Sequence, residues 1–290
     1  MKHMTVIAGA VAVAMAMVGG AAVRGQQTAP PRVAPPAASG AAQPAAARPA
    51  PPAGYRAPRT SSGQPDLQGI WQVMNTAEVD PQAHHAHLGE PAGLGVVEGG
   101  EIPYQPAALA QQKKNFDMRK TADPAAQCFF PGVPRLMYMP HPFQIVQTPT
   151  YMSMLFEYGH EMRLIYTTGF RHHEDFPFWM GDARGRWEGE TFVVDSTGFN
   201  ADTWFDKAGN FHSDALHVVE RFTRTGPDHI RYDVTIEDPK VFTRPWKMSM
   251  PLYRRQEANI QLLEFECFAL SVYEGGRYSE SIKKAKPAGR

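Results

Sequence analysis

From residue 66 onward the dominant signal is alternation of apolar and polar positions with a period of two. It is cleanest over residues 230–237, where Arg231, Asp233, Thr235 and Glu237 fall on one face and Tyr232, Val234 and Ile236 on the other. The same pattern predicts strands over 68–74, 143–148, 151–158, 162–168, 184–187, 190–197, 216–222, 243–254 and 260–268. The strands at 184–187 and 190–197 meet across a tight turn at Glu188-Gly189. Only 106–119 has helical character, with Ala, Leu, Gln and Lys and no internal proline. Many strands joined by short turns predict a mainly β chain, an antiparallel meander closed into a barrel or, alternatively, folded as a β-sandwich.

Upstream of residue 61 there is nothing from which a core can be built. Lys2 and His3 precede an apolar run over about residues 4–17, and small residues over 18–25 offer a cleavage site after Gly25. This predicts a signal peptide over 1–25, with an uncleaved membrane anchor as the alternative. No cysteine follows the run, so a lipoprotein anchor is not expected. Residues 26–60 are rich in Pro and Ala with no apolar face and read as a tether. A single domain over 61–286 is then expected, large enough at about 220 residues for a sizeable core. Lys plus Arg and Asp plus Glu both number 29, so nothing favours nucleic acid or an anionic membrane as a partner. Cys128 and Cys267 are the only cysteines. In an exported chain they are expected to form a disulfide between the loop before the main sheet and the last strand, the alternative being two separate buried thiols.

Candidate chemistry concentrates in residues 186–246, where Asp195, His212, His217, Glu220 and Arg221 lie in or beside strands rich in Trp and Phe. A histidine near a carboxylate can act as general base or acid near neutral pH, so His212, His217, Glu220 and Asp195 are the candidate catalytic set. His217 shares a strand face with Val219 and Arg221, while Glu220 shares the opposite face with Leu216, Val218 and Phe222. Glu220 is therefore a buried acid with a partner, part of a cavity wall, or one half of a salt bridge between strands. Arg221, Trp187, Trp246, Asn200 and Ser213 complete a candidate ligand-binding set. Phe176, Phe178, Trp179, Trp187, Phe199, Trp204 and Trp246 are core residues or a surface on which an apolar or sugar-like ligand stacks.

His172-His173-Glu174-Asp175 resembles a metal-binding run, but at most two consecutive residues could reach one ion, and a solvated turn is the expectation. His84-His85 and His87 are treated likewise, so no metal site is expected. There is no Gly-x-Ser-x-Gly elbow, His-Glu-x-x-His, Walker loop or Gly-x-Gly-x-x-Gly, and no organic cofactor is expected.

Gly69-Ile70-Trp71 resembles the Gly-x-Trp that opens the first strand of lipocalins and related calycin barrels, which implies a calycin-like barrel with room for one small ligand. A broader resemblance is carried by Pro65-Asp66-Leu67-x-Gly69-Ile70-Trp71, by Cys128-x-x-Pro131-Gly132-Val133-Pro134-Arg135, and by the segments 186–200 and 212–222. Together these are similar to a large family of secreted bacterial proteins. That resemblance implies the same fold and export to the periplasm or the medium, and it carries no activity or catalytic residue. The expectation is an exported barrel that binds a small molecule in an aromatic and polar pocket, with no integral membrane domain once the leader is removed. A hydrolase, lyase or isomerase using a His–carboxylate pair is the second reading, and an envelope interaction protein without a pocket the third.

Overall fold

The structure is a computed structural model that describes residues 54–86, 89–169, 171–173 and 175–267. The expected signal peptide lies outside these residues, as does most of the expected tether. Of the tether, residues 54–60 are described: Ala57 is buried and Arg59 bridges to Pro65 at the foot of the barrel. No helix among the described residues is long and apolar enough to cross a membrane.

The chain is mainly β, and nine strands form a closed barrel in sequence order. They are β1 (Gly69–Val73), β2 (Phe143–Gln147), β3 (Tyr151–Phe156), β4 (Met162–Tyr166), β5 (Asp182–Glu188), β6 (Thr191–Thr197), β7 (His217–Gly226), β8 (His229–Glu237) and β9 (Trp246–Arg254). The barrel closes where β9 returns to β1, through Trp71↔Arg254, Gln72↔Tyr253 and Val73↔Leu252. Closure decides against the sandwich and matches a calycin-like barrel.

Neighbouring strands run antiparallel with one exception. The segment 167–181 crosses back before β5 begins, so β4 and β5 run parallel and meet at Tyr166↔Arg184. The tenth predicted strand, 260–268, is not formed over its described residues, where only Phe265 bridges, to Tyr158. The closed β1–β9 seam leaves no free edge for it, and Leu263 stays exposed. Cys128 and Cys267 are bonded, with Cα atoms 5.4 Å apart. The disulfide therefore ties the turn after the helix to this irregular segment and not to a strand.

Register carries the alternation around the wall. Val194, Glu220, Val234 and Met248 lie side by side on the inner face, and Asp195, Val219, Thr235 and Lys247 on the outer one. Trp71, Phe143, Met154, Ile165, Phe192, Phe222 and Tyr232 are fully buried in the core. Each such side chain contributes roughly 1.5–3 kcal/mol through removal of apolar surface from water. Gly185 makes room for this packing, since a Cβ there would lie 2.5 Å from Phe192 Cζ and 2.8 Å from Ile165 Cγ2.

The long connection between β1 and β2 carries one helix, α1 (Pro106–Ala122), and a 3-10 turn at Arg135–Tyr138. Proline at the first helical turn and Arg119 and Lys120 in the last suit the helix dipole. The buried Asn115 donates to the Gly209 carbonyl at 3.1 Å, and Gly209 (φ +80°) has no space for a Cβ against Phe116 N. That close approach fixes the loop leading into β7.

Candidate functional site

The densest arrangement of reactive side chains is on the outer wall over β5, β6 and β7. Asp195 points outward because Val194 and Ser196 take the inner positions of β6. Its Oδ1 accepts from His217 Nε2 at 3.1 Å and lies 3.3 Å from His172 Nε2, so one carboxylate oxygen is shared by two imidazoles. His172 Nδ1 is 3.1 Å from Asp182 Oδ2, which also accepts the His173 backbone N–H at 3.0 Å. Arg184 Nη1 holds the other Asp182 oxygen at 3.0 Å, and His217 Nδ1 faces Glu237 Oε2 at 3.8 Å. The result is a chain of alternating carboxylates and imidazoles: Asp182, His172, Asp195, His217, Glu237.

The hydrogen bond from His217 lowers the Asp195 pKa, and the same bond, with the charges of Asp195 and Glu237, raises that of His217. Such a pair is poised to hold or release a proton near neutral pH. The side chains of Asp195, His172 and His217 are partly exposed, so the chain is open to solvent. No three His, Cys, Asp or Glu side chains are arranged to hold a metal ion among the described residues.

An aromatic surface adjoins this chain. Phe178 is fixed beside the end of β6 by its N–H to the Gly198 carbonyl (2.7 Å) and by its own carbonyl, which accepts Asn200 N–H (2.9 Å). His173 contacts Phe176 and Phe178, whose ring centroids are 4.6 Å apart. The next residue, Trp179, stacks on Phe129 with centroids 5.5 Å apart and planes 6° from parallel, and touches Phe130. Phe129, Phe130 and Phe176 are 49%, 41% and 56% exposed, so these rings are not core. Of the aromatics left open by the sequence, Phe199 and Trp246 are buried in the core, and Phe199 packs against His212.

At least three of Asp195, His212, His217, Glu220 and Arg221 are expected to converge around one pocket walled by Trp187 or Trp246; only Asp195 and His217 meet. Glu220 faces the barrel interior, where it forms a two-pronged pair with Arg163 of β4 and accepts the Tyr232 hydroxyl at 2.9 Å. It is the buried acid with a partner, not a cavity wall. Arg221 lies farther along the outer wall and binds Glu188 Oε2 at 2.9 Å.

His212 is buried in the loop before β7. Its Nδ1–H donates to the Ser213 carbonyl at 2.9 Å, so its Nε2 accepts from the Thr203 hydroxyl at 2.7 Å. Burial lowers its pKa, which keeps the ring neutral. Ser213 is bound through Oγ and N–H to Asp238. Trp246 packs edge-on against Phe205 and Phe242 with 2% exposure, and Trp187 packs on Phe192, so neither walls the outer site. Asn200 alone of the expected ligand-binding set borders it, next to Phe178. His84 is engaged by Thr76 at 3.1 Å, and His87 and Glu174 lie outside the described residues.

Sequence reasoning missed His172 and Asp182 as partners of Asp195, and Arg163 and Tyr232 as partners of Glu220. For Arg163 a signal existed: it shares the inner face of its strand with Ile165, as Glu220 does with Val218 and Phe222. Two opposite charges on apolar faces of different strands predict a buried pair. No protein-family model matches the chain, and no curated protein is significantly similar to it.

Proposed function

We propose that this is an exported barrel that binds a small ring-bearing polar molecule on its outer wall, over the aromatic surface and the carboxylate–imidazole chain. The observation that carries this reading is that one connection bears both the Trp179–Phe129 stack and the Phe178–His173 ring contact, next in sequence to His172, which reaches the Asp195 oxygen shared with His217. Flat exposed rings accept the apolar face of a sugar-like ligand, and the carboxylates and imidazoles beside them pair with its hydroxyls. The interior is disfavoured as a ligand chamber, because its inward positions are taken by large side chains and by the Arg163–Glu220 pair. The expected leader and the Cys128–Cys267 disulfide both favour an oxidising compartment, the periplasm or the medium.

A specific observation also favours a catalytic version of the same site. His217, raised in pKa and oriented by Asp195, has the geometry of a general acid or base for a hydrolysis, lyase or isomerase step. Saturation-transfer NMR against a panel of simple glycosides tests both readings. Binding is expected to weaken roughly tenfold in Trp179→Ala, the effect of one stacked ring at about 1–1.5 kcal/mol. His172→Gln should weaken it further, and loss of turnover without loss of binding in His217→Gln would select the enzyme. Binding that survives both Trp179→Ala and His172→Gln unchanged would remove this site from consideration.

A further inference from the structure

A cleft lies at the β3–β4 turn, between it and residues 262–264, and is independent of the outer-wall reading. It has a volume of about 410 Å³, with Leu155 and Phe156 on one side and Leu262 and Leu263 on the other. Its walls are fixed before any ligand arrives. Gly159 N–H donates to the Phe265 carbonyl at 2.9 Å, Leu263 N–H donates to Glu157 Oε2 at 2.9 Å, and the disulfide at Cys267 anchors the segment just beyond.

Within these apolar walls sits Glu161. Its backbone is satisfied, donating to the Tyr158 carbonyl and accepting from Phe156 N–H, but its half-buried carboxylate has no hydrogen-bond or cationic partner among the described residues. The charged groups around it are all accounted for. His160 Nδ1 is taken by Glu266 Oε1 at 2.6 Å, Glu157 is held by His141 and the Leu263 N–H, and Glu264 stands on the rim. Burial, and then the charge of Glu266, push the Glu161 pKa up to about 7. A carboxylate kept from water without a counter-ion is a standing cost that an incoming cation would relieve.

We propose that this cleft binds an organic cation with an apolar body, its ammonium group on Glu161 and its body between the Leu155 and Leu262–Leu263 walls. Anionic ligands are disfavoured by Glu161, Glu264 and Glu266 together. A bare metal ion is disfavoured as well, because His160 is engaged by Glu266, the rest of the wall beside Glu161 and Glu264 is hydrocarbon, and no three His, Cys, Asp or Glu side chains are arranged to hold an ion among the described residues.

Isothermal titration calorimetry of the full chain with 2-phenylethylammonium, and with the uncharged 2-phenylethanol, tests the proposal. The amine should bind at pH 8 and the alcohol at least tenfold more weakly. Between pH 8 and pH 6 the amine should lose about tenfold in affinity, the fall in the ionised fraction of a group titrating near 7, while itself staying charged. Glu161→Gln should abolish both the charge preference and the pH step without loss of thermal stability, because it removes a poorly solvated charge. His160→Asn should leave the pH step in place. Equal affinity for amine and alcohol, a Glu161→Gln protein that binds like the wild type, a pH step that disappears in His160→Asn, or no binding at pH 8 would each overturn the proposal.

Discussion

The most decisive perturbation is Glu220→Gln, because it separates a residue that holds the barrel together from one that works in a site. Glu220 is fully buried and the Arg163 side chain is 3% exposed. The guanidinium also donates to Ser196 Oγ at 3.0 Å, and its Nε has no hydrogen-bond partner among the described residues. Glutamine can still accept from Tyr232, but it cannot neutralise the guanidinium, which is left charged in a hydrocarbon interior. Breaking a buried pair from one side costs about 3–5 kcal/mol. At about 2–4 °C per kcal/mol for a domain of this size, the melting temperature should fall by about 6–20 °C.

Removing both charges with Arg163→Met and Glu220→Leu should recover most of that loss. The residue left over is the Tyr232 and Ser196 hydroxyls without partners, about 1–3 kcal/mol each, and adding Tyr232→Phe should recover part of it. Urea unfolding followed by circular dichroism reads all four proteins, and ligand binding by the folded fraction should be unchanged throughout. A Glu220→Gln protein within about 1 kcal/mol of wild type would refute this account of the interior. So would a double variant less stable than the single one.

Three further outcomes are expected. Gly185→Ala should destabilise by about 1–3 kcal/mol in urea through overpacking against Phe192 and Ile165; a change under about 0.5 kcal/mol would show a looser inner wall. Replacing Cys128 and Cys267 by serine opens a loop with a sequence separation of 139 and should cost up to about 5 kcal/mol on the chain-entropy model. Quantitative labelling of two free thiols in protein from the envelope would contradict that bond. NMR titration should place His217 above the usual histidine value and show it lowered in Asp195→Asn. Because the folded-state pKa is raised, the stability His217 adds is full below about pH 6.5 and is lost as pH rises through the raised value, so wild type and Asp195→Asn should converge as the medium becomes alkaline.

The strand pattern was legible because a barrel wall has one face in hydrocarbon, and alternation records that directly. At 230–237 every inward and outward assignment holds. Alternation also placed His217 and Glu220 on opposite faces, which explains why they do not meet. What it could not supply is the pairing of faces across many strands. Arg163 and Glu220 are 57 residues apart and meet only once the barrel has closed, and His172 reaches Asp195 from an irregular connection with no period to read. The strand expected over 260–268 failed for a related reason: whether an apolar stretch finds an edge depends on whether β1 and β9 have already sealed it.

The segment 167–181 accounts for both the parallel step in the sheet and the placement of His172 and Phe178. In the second half of the barrel, β5–β6 and β7–β8 are each joined by a two-residue turn, while the long connections are 167–181 before β5 and 198–216 before β7. A short turn after β4 would have produced an antiparallel neighbour, with the meander continuing unbroken. Instead the chain runs back along the outer wall, β5 is laid parallel to β4, and on the way the connection delivers His172 to Asp182 and Asp195 and Phe178 to the end of β6. An antiparallel sheet needs none of this for closure, and leaving aromatic rings in water stabilises nothing. A long connection that departs from the simplest topology and spends its side chains on exposed rings and a shared carboxylate has the character of a functional loop on a rigid scaffold. The barrel contributes rigidity: with its interior filled, the positions of Asp195 and His217 are set by the sheet, and the proposed ligand would lie between those fixed strand residues and His172 and Phe178 of the connection.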